Sequence, residues 1–327
     1  MQTVIKKGDK EAISCAARII KEGGIVAFPT ETVYGLGADA RDESAVKAVF
    51  EAKGRPQDNP LICHVSCYEE LLQIAYDDTG IAKKLIDAFS PGPLSLVLRK
   101  KDVVPDSVSA GLKTVAVRIP DHPVALSLIR ESGCPIAAPS ANTSGRPSPT
   151  NAETVYEDMQ GKIPMILDGG ACRGGIESTV LDISGEIPVI FRPGLITAED
   201  LLKHLDNVQL FRGRVISAAP APGMKYRHYA PKCEMVLSED KDQTLSFYKD
   251  AETRGLTPVI LAKGQNLSHY EGLRYVEVGY DSVELAHNLF SALRQAEKLG
   301  NYIISETVDD YGVGYSVMNR MKKAASK

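Results

Sequence analysis

The sequence predicts an α/β protein of two domains, a large first domain with an extended sheet and a small Rossmann-like second domain. Apolar runs of strand length alternate with amphipathic helical stretches through most of the 327 residues. A segment rich in proline and glycine, residues 211–234, interrupts this alternation. The chain also exceeds the ~100–200 residues of a typical domain. Its 43% hydrophobic and 24% charged residues are typical of a globular protein.

The first domain begins with a helix that leads into a buried strand. Residues 9–22 place four apolar side chains on one helical face, and Gly23-Gly24 ends the helix before the apolar run 25–28. Further strands are predicted at 60–65, 94–98, 114–118, 136–138, 165–167 and 179–183. Helices are predicted near 42–52, 79–89, 121–132 and 150–160.

The domain boundary is predicted in the proline- and glycine-rich segment, which is also the basic part of the chain. This segment carries five Lys or Arg residues and one Asp or Glu. We therefore expect domains at 1–210 and 235–327, joined by a linker at 211–234. The linker can act as a plain tether, or it can bind a ligand through aromatic residues such as His228 and Tyr229.

The second domain repeats the alternation of strands and helices. Its strands are predicted at 258–262, 275–278 and 302–305, and its helices at 281–299 and 313–325. Gly312-Val313-Gly314 is not a dinucleotide-binding fingerprint, because the third glycine of that motif is missing. The prediction is a small Rossmann-like domain whose role the sequence does not specify.

Charge and hydropathy exclude several classes of protein. The net charge of −4 argues against a protein that coats nucleic acid. No apolar run approaches the ~18–20 residues that cross a bilayer, and the first residues lack the apolar region of a signal peptide. The six cysteines are scattered, which is typical of a reducing compartment. We therefore expect a cytoplasmic protein with no membrane contact.

Common catalytic signatures are absent from the sequence. It contains no G-x-x-x-x-G-K-[ST] phosphate loop, no G-x-S-x-G nucleophile elbow and no H-E-x-x-H zinc helix. Cys63, His64 and Cys67 have no second ligand pair at zinc spacing. The prediction is that no metal is held by protein side chains.

Polar residues are instead concentrated after predicted strands. Residues 28–37 place hydroxyls and glycines behind a buried strand, Lys53 and Arg55 flank a glycine, and 137–150 is rich in hydroxyls and prolines. Such cations can clamp phosphates, and hydroxyls fixed by prolines suit an oxygen-rich ligand. The alternative interpretation of each segment is a solvated surface loop. Arg118 and Arg192, at strand ends, are each more commonly surface ion-pair residues than ligands.

Seven motifs occur in an order that resembles one family. The motifs are GGIVAFPTETVYGLGADA, KGRPQDNPL, PGPLSLVL, VAVRIPDHP, PIAAPSANTSGRPSPT, GIESTVLD and FRPG. Their order is similar to that of the Sua5/YrdC/YwlC family of threonylcarbamoyl-AMP synthases, over about residues 10–200. The linker and second domain look like those of the longer, Sua5-type members. The resemblance implies a YrdC-like twisted open sheet with a large concave cavity, followed by a Rossmann-like α/β/α domain.

The resemblance also implies a reaction. Members of the family join L-threonine, bicarbonate and ATP into threonylcarbamoyl-AMP and diphosphate, with Mg²⁺ accompanying ATP. A downstream threonylcarbamoyl transferase complex then modifies adenosine 37 of tRNAs that read ANN codons. The chemistry needs no covalent enzyme nucleophile, in agreement with the missing motifs, so positioning and electrostatic stabilisation carry the rate.

The resemblance assigns site residues by motif. For threonine they are Thr32, His64, Arg118, Ala138 and Ser178, with Arg118 on the carboxylate. For ATP they are Lys53, Arg55, Asn59, Thr114, Ser140, Ser148, Arg192 and Tyr229, with Tyr229 closing over the nucleotide from the linker. Lys53, Arg55, Ser140 and Asn142 are the expected catalytic residues, and Ser140 with Asn142 is expected to shape the bicarbonate pocket.

Two other classes stay open from the sequence. An RNA-binding module without ATP turnover would bind RNA in a salt-sensitive manner, but the first 210 residues carry 22 Lys or Arg against 28 Asp or Glu. A carbamoyl-transfer enzyme of the same fold normally brings acylphosphatase and zinc-finger segments, and neither is visible in this sequence. The second domain can position the linker, contact the transferase or bind tRNA, and its motifs do not choose between these roles.

Overall fold

The computed structural model describes residues 1–211 and 228–326, which form two compact units. The described residues of the first unit are 1–144, 149–173 and 177–211. Those of the second unit are 145–148, 174–176 and 228–326. Most of the predicted linker, 212–227, lies outside the described residues.

The first unit is built on one mixed sheet. Its strands are β1 (Val4–Lys7), β2 (Val26–Phe28), β3 (Gly35–Asp39), β4 (Ile62–His64), β5 (Leu94–Arg99), β6 (Thr114–Arg118), β7 (Ile136–Ala138), β8 (Met165–Asp168), β9 (Thr179–Asp182), β10 (Val189–Arg192) and β11 (Gln209–Leu210). Its helices are α1 (Lys10–Lys21), α2 (Glu43–Lys53), α3 (Tyr68–Ile74), α4 (Ile81–Phe89), α5 (Asp106–Ser109), α6 (Pro123–Ser132), α7 (Ala152–Met159) and α8 (Ala198–Leu202). The strand order is β1-β8-β2-β3-β7-β4-β6-β5-β9-β10-β11.

Helices cover both faces of this sheet. Val26 and Phe28 of β2 belong to the core that α1 and α6 form, whereas Ala27 belongs to the core that α2 and α7 form. This division follows from the alternation of side chains along a strand. A third core joins α3, α4, α5 and α8 to strands β4, β5, β6, β9 and β10. The helices therefore hold the sheet from either side.

The predicted strands and helices of the first unit are present, and the structure adds elements whose ranges the sequence does not predict: β1, β3, β10, β11, α3, α5 and α8. Of these, β3 is the one that lies between predicted strands in the middle of the sheet. β3 contains Gly35 and Gly37, and glycine has low strand propensity. A Cβ atom on Gly37 would lie 2.5 Å from Ile136 Cγ2 and 2.7 Å from Phe28 Cε1. Glycine is needed because side chains from the neighbouring strands fill the space above β3.

Helix ends are fixed by side chains that the sequence supplies. The Asp42 carboxylate accepts hydrogen bonds from Ser44 N at 2.8 Å and Ala45 N at 3.1 Å, which caps the start of α2. The helix ends at Gly54, whose left-handed φ of 60° suits glycine. These caps place Lys53 in the last turn of α2.

The second unit is a small α/β/α domain, as predicted. It contains β12 (Glu234–Ser238), β13 (Pro258–Lys263), β14 (Tyr275–Gly279) and β15 (Tyr302–Glu306), with helices α9 (Lys241–Thr253), α10 (Ser282–Leu299) and α11 (Gly312–Ala325). All strands are parallel, in the order β12-β15-β13-β14. In both described segments of the chain, no helix is both long and apolar enough to cross a bilayer.

Candidate functional site

Polar side chains form a line across three neighbouring strands of the large sheet. Arg118, the last residue of β6, is in register with His64 of the parallel strand β4 and with Ser95 of the antiparallel strand β5. Directly paired residues lie on the same face of a sheet, and neighbouring strands are ~4.8 Å apart. The register therefore places His64, Arg118 and Ser95 along a line of about 10 Å.

Arg118 is buried, and its guanidinium has contacts on several sides. Its Nε donates to the Gly92 carbonyl at 3.1 Å, and its Nη1 donates to Thr32 Oγ1 at 3.0 Å. Its Nη2 lies 2.6 Å from Oε1 of Glu31, and both side chains are less than a tenth exposed. An arginine that is oriented in this way presents a planar set of donors, which matches a carboxylate.

His64 is a neutral side chain beside this arginine. Its Nδ1 lies 3.3 Å from the Ile136 carbonyl oxygen. Burial, with the nearby Arg118 charge, lowers the pKa of His64 to about 3. A carbonyl can only accept, so Nδ1 carries the proton and Nε2 is left as an acceptor.

Ser178, the residue just before β9, adjoins Ser95 at the end of this line. Its hydroxyl lies 2.8 Å from the Ser95 hydroxyl, and both residues are fully buried. Arg192, at the end of β10, donates to the Ser178 carbonyl from Nε at 3.1 Å and from Nη2 at 3.0 Å. Arg192 therefore fixes the backbone that carries Ser178. The name Arg118 cluster is used below for Glu31, Thr32, His64, Ser95, Arg118, Ser178 and Arg192.

The turn before β3 brings Glu31 and Thr32 to Arg118. The Thr30 hydroxyl donates to the Val33 carbonyl at 2.6 Å and lies 2.9 Å from the Thr32 hydroxyl. Tyr34 ties the same turn to a second loop, since its hydroxyl donates to the Gly170 carbonyl at 2.8 Å. These local bonds are the reason for the hydroxyl-rich sequence after β2.

Lys53 is at the centre of a second group of polar residues. Its ammonium is buried and donates to the Asn142 carbonyl at 2.6 Å and to the Ser140 carbonyl. Burial, with the Arg55 charge, lowers the pKa of Lys53 well below its usual range. Lys53 thus holds the 140–142 loop against the end of α2.

Arg55 and Asn59 are next to this lysine. Arg55 Nη2 donates to the Asn59 carbonyl at 3.4 Å and to the Pro60 carbonyl at 3.3 Å. Asn59 is 1% exposed, yet neither atom of its side-chain amide has a hydrogen-bond partner among the described residues. An unpartnered buried amide is destabilising, and it indicates a ligand position.

Ser140 and Asn142 complete this group. The Ser140 hydroxyl donates to Asn142 Oδ1 at 2.5 Å, and Asn142 Nδ2 donates to the Thr143 carbonyl at 2.8 Å. Lys53, Arg55, Asn59, Ser140 and Asn142 are called the Lys53 cluster below. The Ala141 amide donates to the Tyr34 carbonyl at 2.8 Å, which joins the 140–142 loop to the turn that carries Thr32.

The other predicted site residues, Thr114, Ala138, Ser148 and Tyr229, are not members of the Arg118 cluster or of the Lys53 cluster. Thr114 begins β6, four residues before Arg118, which corresponds to ~13 Å along the strand. Ala138 ends β7 and is in register with Ile62 of β4. Ser148 belongs to the second unit and is buried.

Tyr229 also belongs to the second unit. Its ring stacks on that of Phe290, with centroids 5.1 Å apart, and is 4% exposed. Its predicted position over a nucleotide stays a prediction.

Sequence reasoning missed Glu31, Thr30 and Ser95. Glu31 is the charged residue in an otherwise hydroxyl-rich turn, and Ser95 is the single polar residue in the apolar run 94–98 of β5. A polar residue within a buried strand is a usable signal, because it needs a partner inside the protein. Their joint role depends on the register between strands, which the sequence alone does not show.

The arrangement suits the binding of anions and of small polar molecules. Arg118 can pair with a carboxylate, and the neutral His64 and the serine hydroxyls can bind uncharged polar groups. The Lys53 cluster supplies buried cationic and amide donors for phosphate oxygens. Throughout the described parts of the chain, no group of three or more His, Cys, Asp or Glu side chains is placed to hold a metal ion.

Family models match both units. The model of the Sua5, YciO and YrdC family, described as telomere recombination, matches residues 18–194. The model of the threonylcarbamoyl-AMP synthase C-terminal domain matches residues 196–326.

Relatives match over nearly the whole chain. The threonylcarbamoyl-AMP synthase of Pyrococcus abyssi is 46% identical, over 96% of this chain and 94% of that protein. The enzyme of the same name from Bacillus subtilis is 43% identical, over 96% of this chain and 92% of that protein.

Solved structures agree with these matches. The structure of P. abyssi Sua5 complexed with L-threonine has a TM-score of 0.92 and 44% identity, and covers 99% of this chain and 97% of that chain. E. coli YciO has a TM-score of 0.52 at 21% identity, over 59% of this chain and 95% of that chain. The YciO match supports the fold alone.

Proposed function

The chain belongs to the Sua5/YciO/YrdC family, and from that premise we propose that it is a threonylcarbamoyl-AMP synthase. It is then a nucleotidyltransferase that joins L-threonine, bicarbonate and ATP into threonylcarbamoyl-AMP and diphosphate. The product serves the threonylcarbamoyl modification of adenosine 37 in tRNAs that read ANN codons. A downstream threonylcarbamoyl transferase complex uses it, in the cytoplasm, where these tRNAs are found.

The observation that carries this proposal is the buried, oriented guanidinium of Arg118. Thr32 accepts from it, the neutral His64 and Ser95 are in register with Arg118 on the neighbouring strands, and Ser95 pairs with Ser178. Arg118 would pair with the threonine carboxylate, and the hydroxyl groups with His64 would bind the threonine hydroxyl. Ala138, which ends β7, would limit the space around the methyl group. The relative from P. abyssi was solved with L-threonine bound.

The Lys53 cluster would hold ATP. The Arg55 guanidinium and the Lys53 ammonium would pair with phosphate oxygens, and the unpartnered amide of Asn59 would bind the nucleotide. Lys53 already donates to two backbone carbonyls, so it would also fix the Ser140–Asn142 loop beside the reacting groups. Thr114, Ser148, Arg192 and Tyr229 are proposed as further ATP contacts.

The reaction has two bond-forming steps, and the site must align the reacting groups for each. The threonine amine reacts with bicarbonate to form a carbamate, and a carbamate oxygen then attacks the α-phosphorus of ATP with loss of diphosphate. The enzyme contributes orientation and fixed donors where negative charge develops. The chemistry that Mg²⁺ would supply, when bound with ATP through its phosphate oxygens, is neutralisation of charge on the leaving diphosphate.

The test is a direct assay of the purified chain. We expect radiolabelled bicarbonate to enter an adenylate only when L-threonine and ATP are both present, with release of diphosphate. Arg55→Ala should abolish this synthesis and leave the fold intact, because Arg55 is half-buried and lies in the loop after α2. Unchanged synthesis by Arg55→Ala would contradict the phosphate role.

Two outcomes would favour other functions. Salt-sensitive RNA binding without ATP turnover would favour an RNA-binding module. Turnover of carbamoyl phosphate without a requirement for threonine would favour a carbamoyl-transfer enzyme. For the second unit, contact with the transferase and contact with tRNA remain separate hypotheses, which pull-down with each partner distinguishes.

A further inference from the structure

Glu31 is a buried carboxylate to which the proposed reaction assigns no role. It is 5% exposed, and its Oε1 lies 2.6 Å from Nη2 of Arg118. Despite this ion pair, neither of its carboxylate oxygens accepts a hydrogen bond from any residue within 1–211 and 228–326. An ionised carboxylate has about four acceptor positions. Leaving them unused away from water is strongly unfavourable.

The place of Glu31 matches the shape of an α-amino acid. The amine and the carboxylate of such a molecule are attached to the same carbon atom. A group that binds the ammonium must therefore adjoin the group that binds the carboxylate. Glu31 adjoins Arg118, and Thr32, the next residue, accepts from the same guanidinium. A glutamate beside an arginine thus presents a negative charge to the ammonium group of the zwitterion and a positive charge to its carboxylate.

We propose that Glu31 binds the ammonium group of threonine and accepts the proton that the amine must lose before it reacts. This inference rests on the proposed function. The ammonium transfers one proton to the Glu31 carboxylate, which gives a neutral amine and a protonated Glu31. The amine nitrogen then bonds to the carbon of bicarbonate, and water leaves, so that the carbamate carries the remaining negative charge. Glu31 returns its proton to solvent when the product departs.

Neighbouring titratable groups do not compete for this role. The Cys172 thiol interacts with Glu31, and burial raises its pKa to about 12, so it remains protonated. His122 also interacts with Glu31, but its Nδ1 already accepts from the Val124 amide at 3.2 Å. The pKa of His64, lowered by burial to about 3, makes it a poor base near neutral pH. Arg118 can only donate.

The first test compares two ligands on the unmodified protein by calorimetry, without ATP. One is L-threonine, and the other is its analogue in which a hydroxyl replaces the amine. A charged hydrogen bond contributes ~1.5–3 kcal/mol, so threonine should bind roughly 10- to 150-fold more tightly than the analogue. Equal affinities would overturn the proposal, and this result does not depend on any variant folding.

The second test uses Glu31→Gln, which keeps the shape of the side chain and removes its charge. The preference for threonine over the analogue should disappear in this variant. A matched control is Glu11→Gln, which changes an exposed glutamate on α1 and should leave the preference intact. A preference that persists in Glu31→Gln at its original size would also overturn the proposal.

The proton-accepting role has its own readout. In Glu31→Gln, synthesis should depend on amine that is already neutral, so the rate should rise about tenfold for each pH unit from 7 to 8.5. The unmodified enzyme should show a flatter profile, and the same profile in both proteins would remove the proton-accepting role. If the unmodified protein makes no adenylate, the proposed function fails, whereas the calorimetric comparison still tests Glu31.

Discussion

At the scale of single residues, Asn59 differs from the ordinary interior of the protein, and the difference supports its proposed contact with ATP. Its side-chain amide is buried and has no hydrogen-bond partner among the described residues. Buried polar residues outside the candidate site, such as Ser238 and Thr244, pair with each other. A fold gains nothing from an unpaired buried amide, which supports the proposal that Asn59 binds ATP at the expense of stability.

We predict that Asn59→Leu leaves the protein at least as stable and weakens ATP binding. Leucine has a similar shape and buries no unpaired group, so the free energy of unfolding should rise by ~1 kcal/mol. The affinity for ATP, measured by calorimetry, should fall at least tenfold.

Asn151→Leu is the matched control for this prediction. The Asn151 side chain accepts from the Thr154 amide at 2.8 Å and caps α7, so its loss should cost about 1 kcal/mol. If Asn59→Leu destabilised the protein as much and left ATP binding unchanged, Asn59 would be a structural residue.

The second prediction at this scale concerns acid and His64. In the folded protein the pKa of His64 is lowered to about 3, whereas an unfolded histidine titrates near its ordinary value of ~6.5. Below pH 6.5 the unfolded state therefore binds a proton that the folded state does not. Stability should fall as the pH decreases from about 6.5 toward 3, by about 2 kcal/mol from this group at pH 5.

The measurement is urea unfolding at pH 7.5 and at pH 5 for the unmodified protein and for His64→Gln. The unmodified protein should lose about 2 kcal/mol more than the variant between these conditions. The pKa of His122 is also lowered by burial, but it contributes equally to both proteins and cancels in the comparison. Equal losses would show that His64 is accessible to protons in the folded state.

At the scale of elements, the turn after β10 explains the glycine of the FRPG motif. A Cβ atom on Gly194 would lie 2.3 Å from the Thr179 amide nitrogen and 2.6 Å from the Ser178 carbonyl carbon. The turn therefore packs directly on the backbone of the segment that leads into β9. This contact and the Arg192 hydrogen bonds fix the same residue, Ser178.

We predict that Gly194→Ala destabilises the protein by ~1–3 kcal/mol, because the added methyl group overlaps backbone that cannot rotate away. The displacement of Ser178 should also raise the KM for threonine. Thermal unfolding and steady-state kinetics measure the two effects. Gly185→Ala is the control, since nothing lies within 4 Å of its added Cβ, and it should change neither quantity. Similar behaviour of the two variants would contradict this account.

Element by element, the sequence predicts what depends on local pattern. The helix at 9–22 is found as α1, and the strand at 114–118 is found as β6. The sequence does not predict β3, because its glycines become favourable only beside the Phe28 ring and Ile136. Such a strand depends on residues that are distant in the chain, so its local sequence does not predict it.

At the scale of the whole molecule, the same limit applies to the candidate site. Residues close in sequence, such as Lys53 with Arg55 and Ser140 with Asn142, are predicted as groups from the motifs and are found together. The union of His64, Ser95 and Arg118 arises from the register of three strands. Glu31 was missed for a related reason, since its partner is 87 positions away, at Arg118.

The connection between β7 and α7 contains a short segment that is assigned to the other compact unit. Residues 145–148 lie between two elements of the first unit in sequence, but they belong to the second unit. Within that unit Arg146 pairs with Glu297 of α10, and Arg294 Nη2 donates to the Pro147 carbonyl at 2.7 Å. Glu297 also accepts from the Lys232 amide at 3.0 Å. The second unit thus fixes the segment that ends at Ser148, a proposed ATP contact.

We predict that the Arg146–Glu297 pair has a coupling energy of ~1–3 kcal/mol in a double-mutant cycle with alanine. The pair is mostly buried, with side chains 14% and 6% exposed, so water screens it little. Hydrogen exchange of α10 amides measures the local opening energy in the four proteins. The pair between Lys322 and Asp310, about half exposed on both sides, is the control and should couple by less than ~1 kcal/mol. If the two couplings were equal, the 145–148 segment would be held by its backbone and by Arg294, and not by this ion pair.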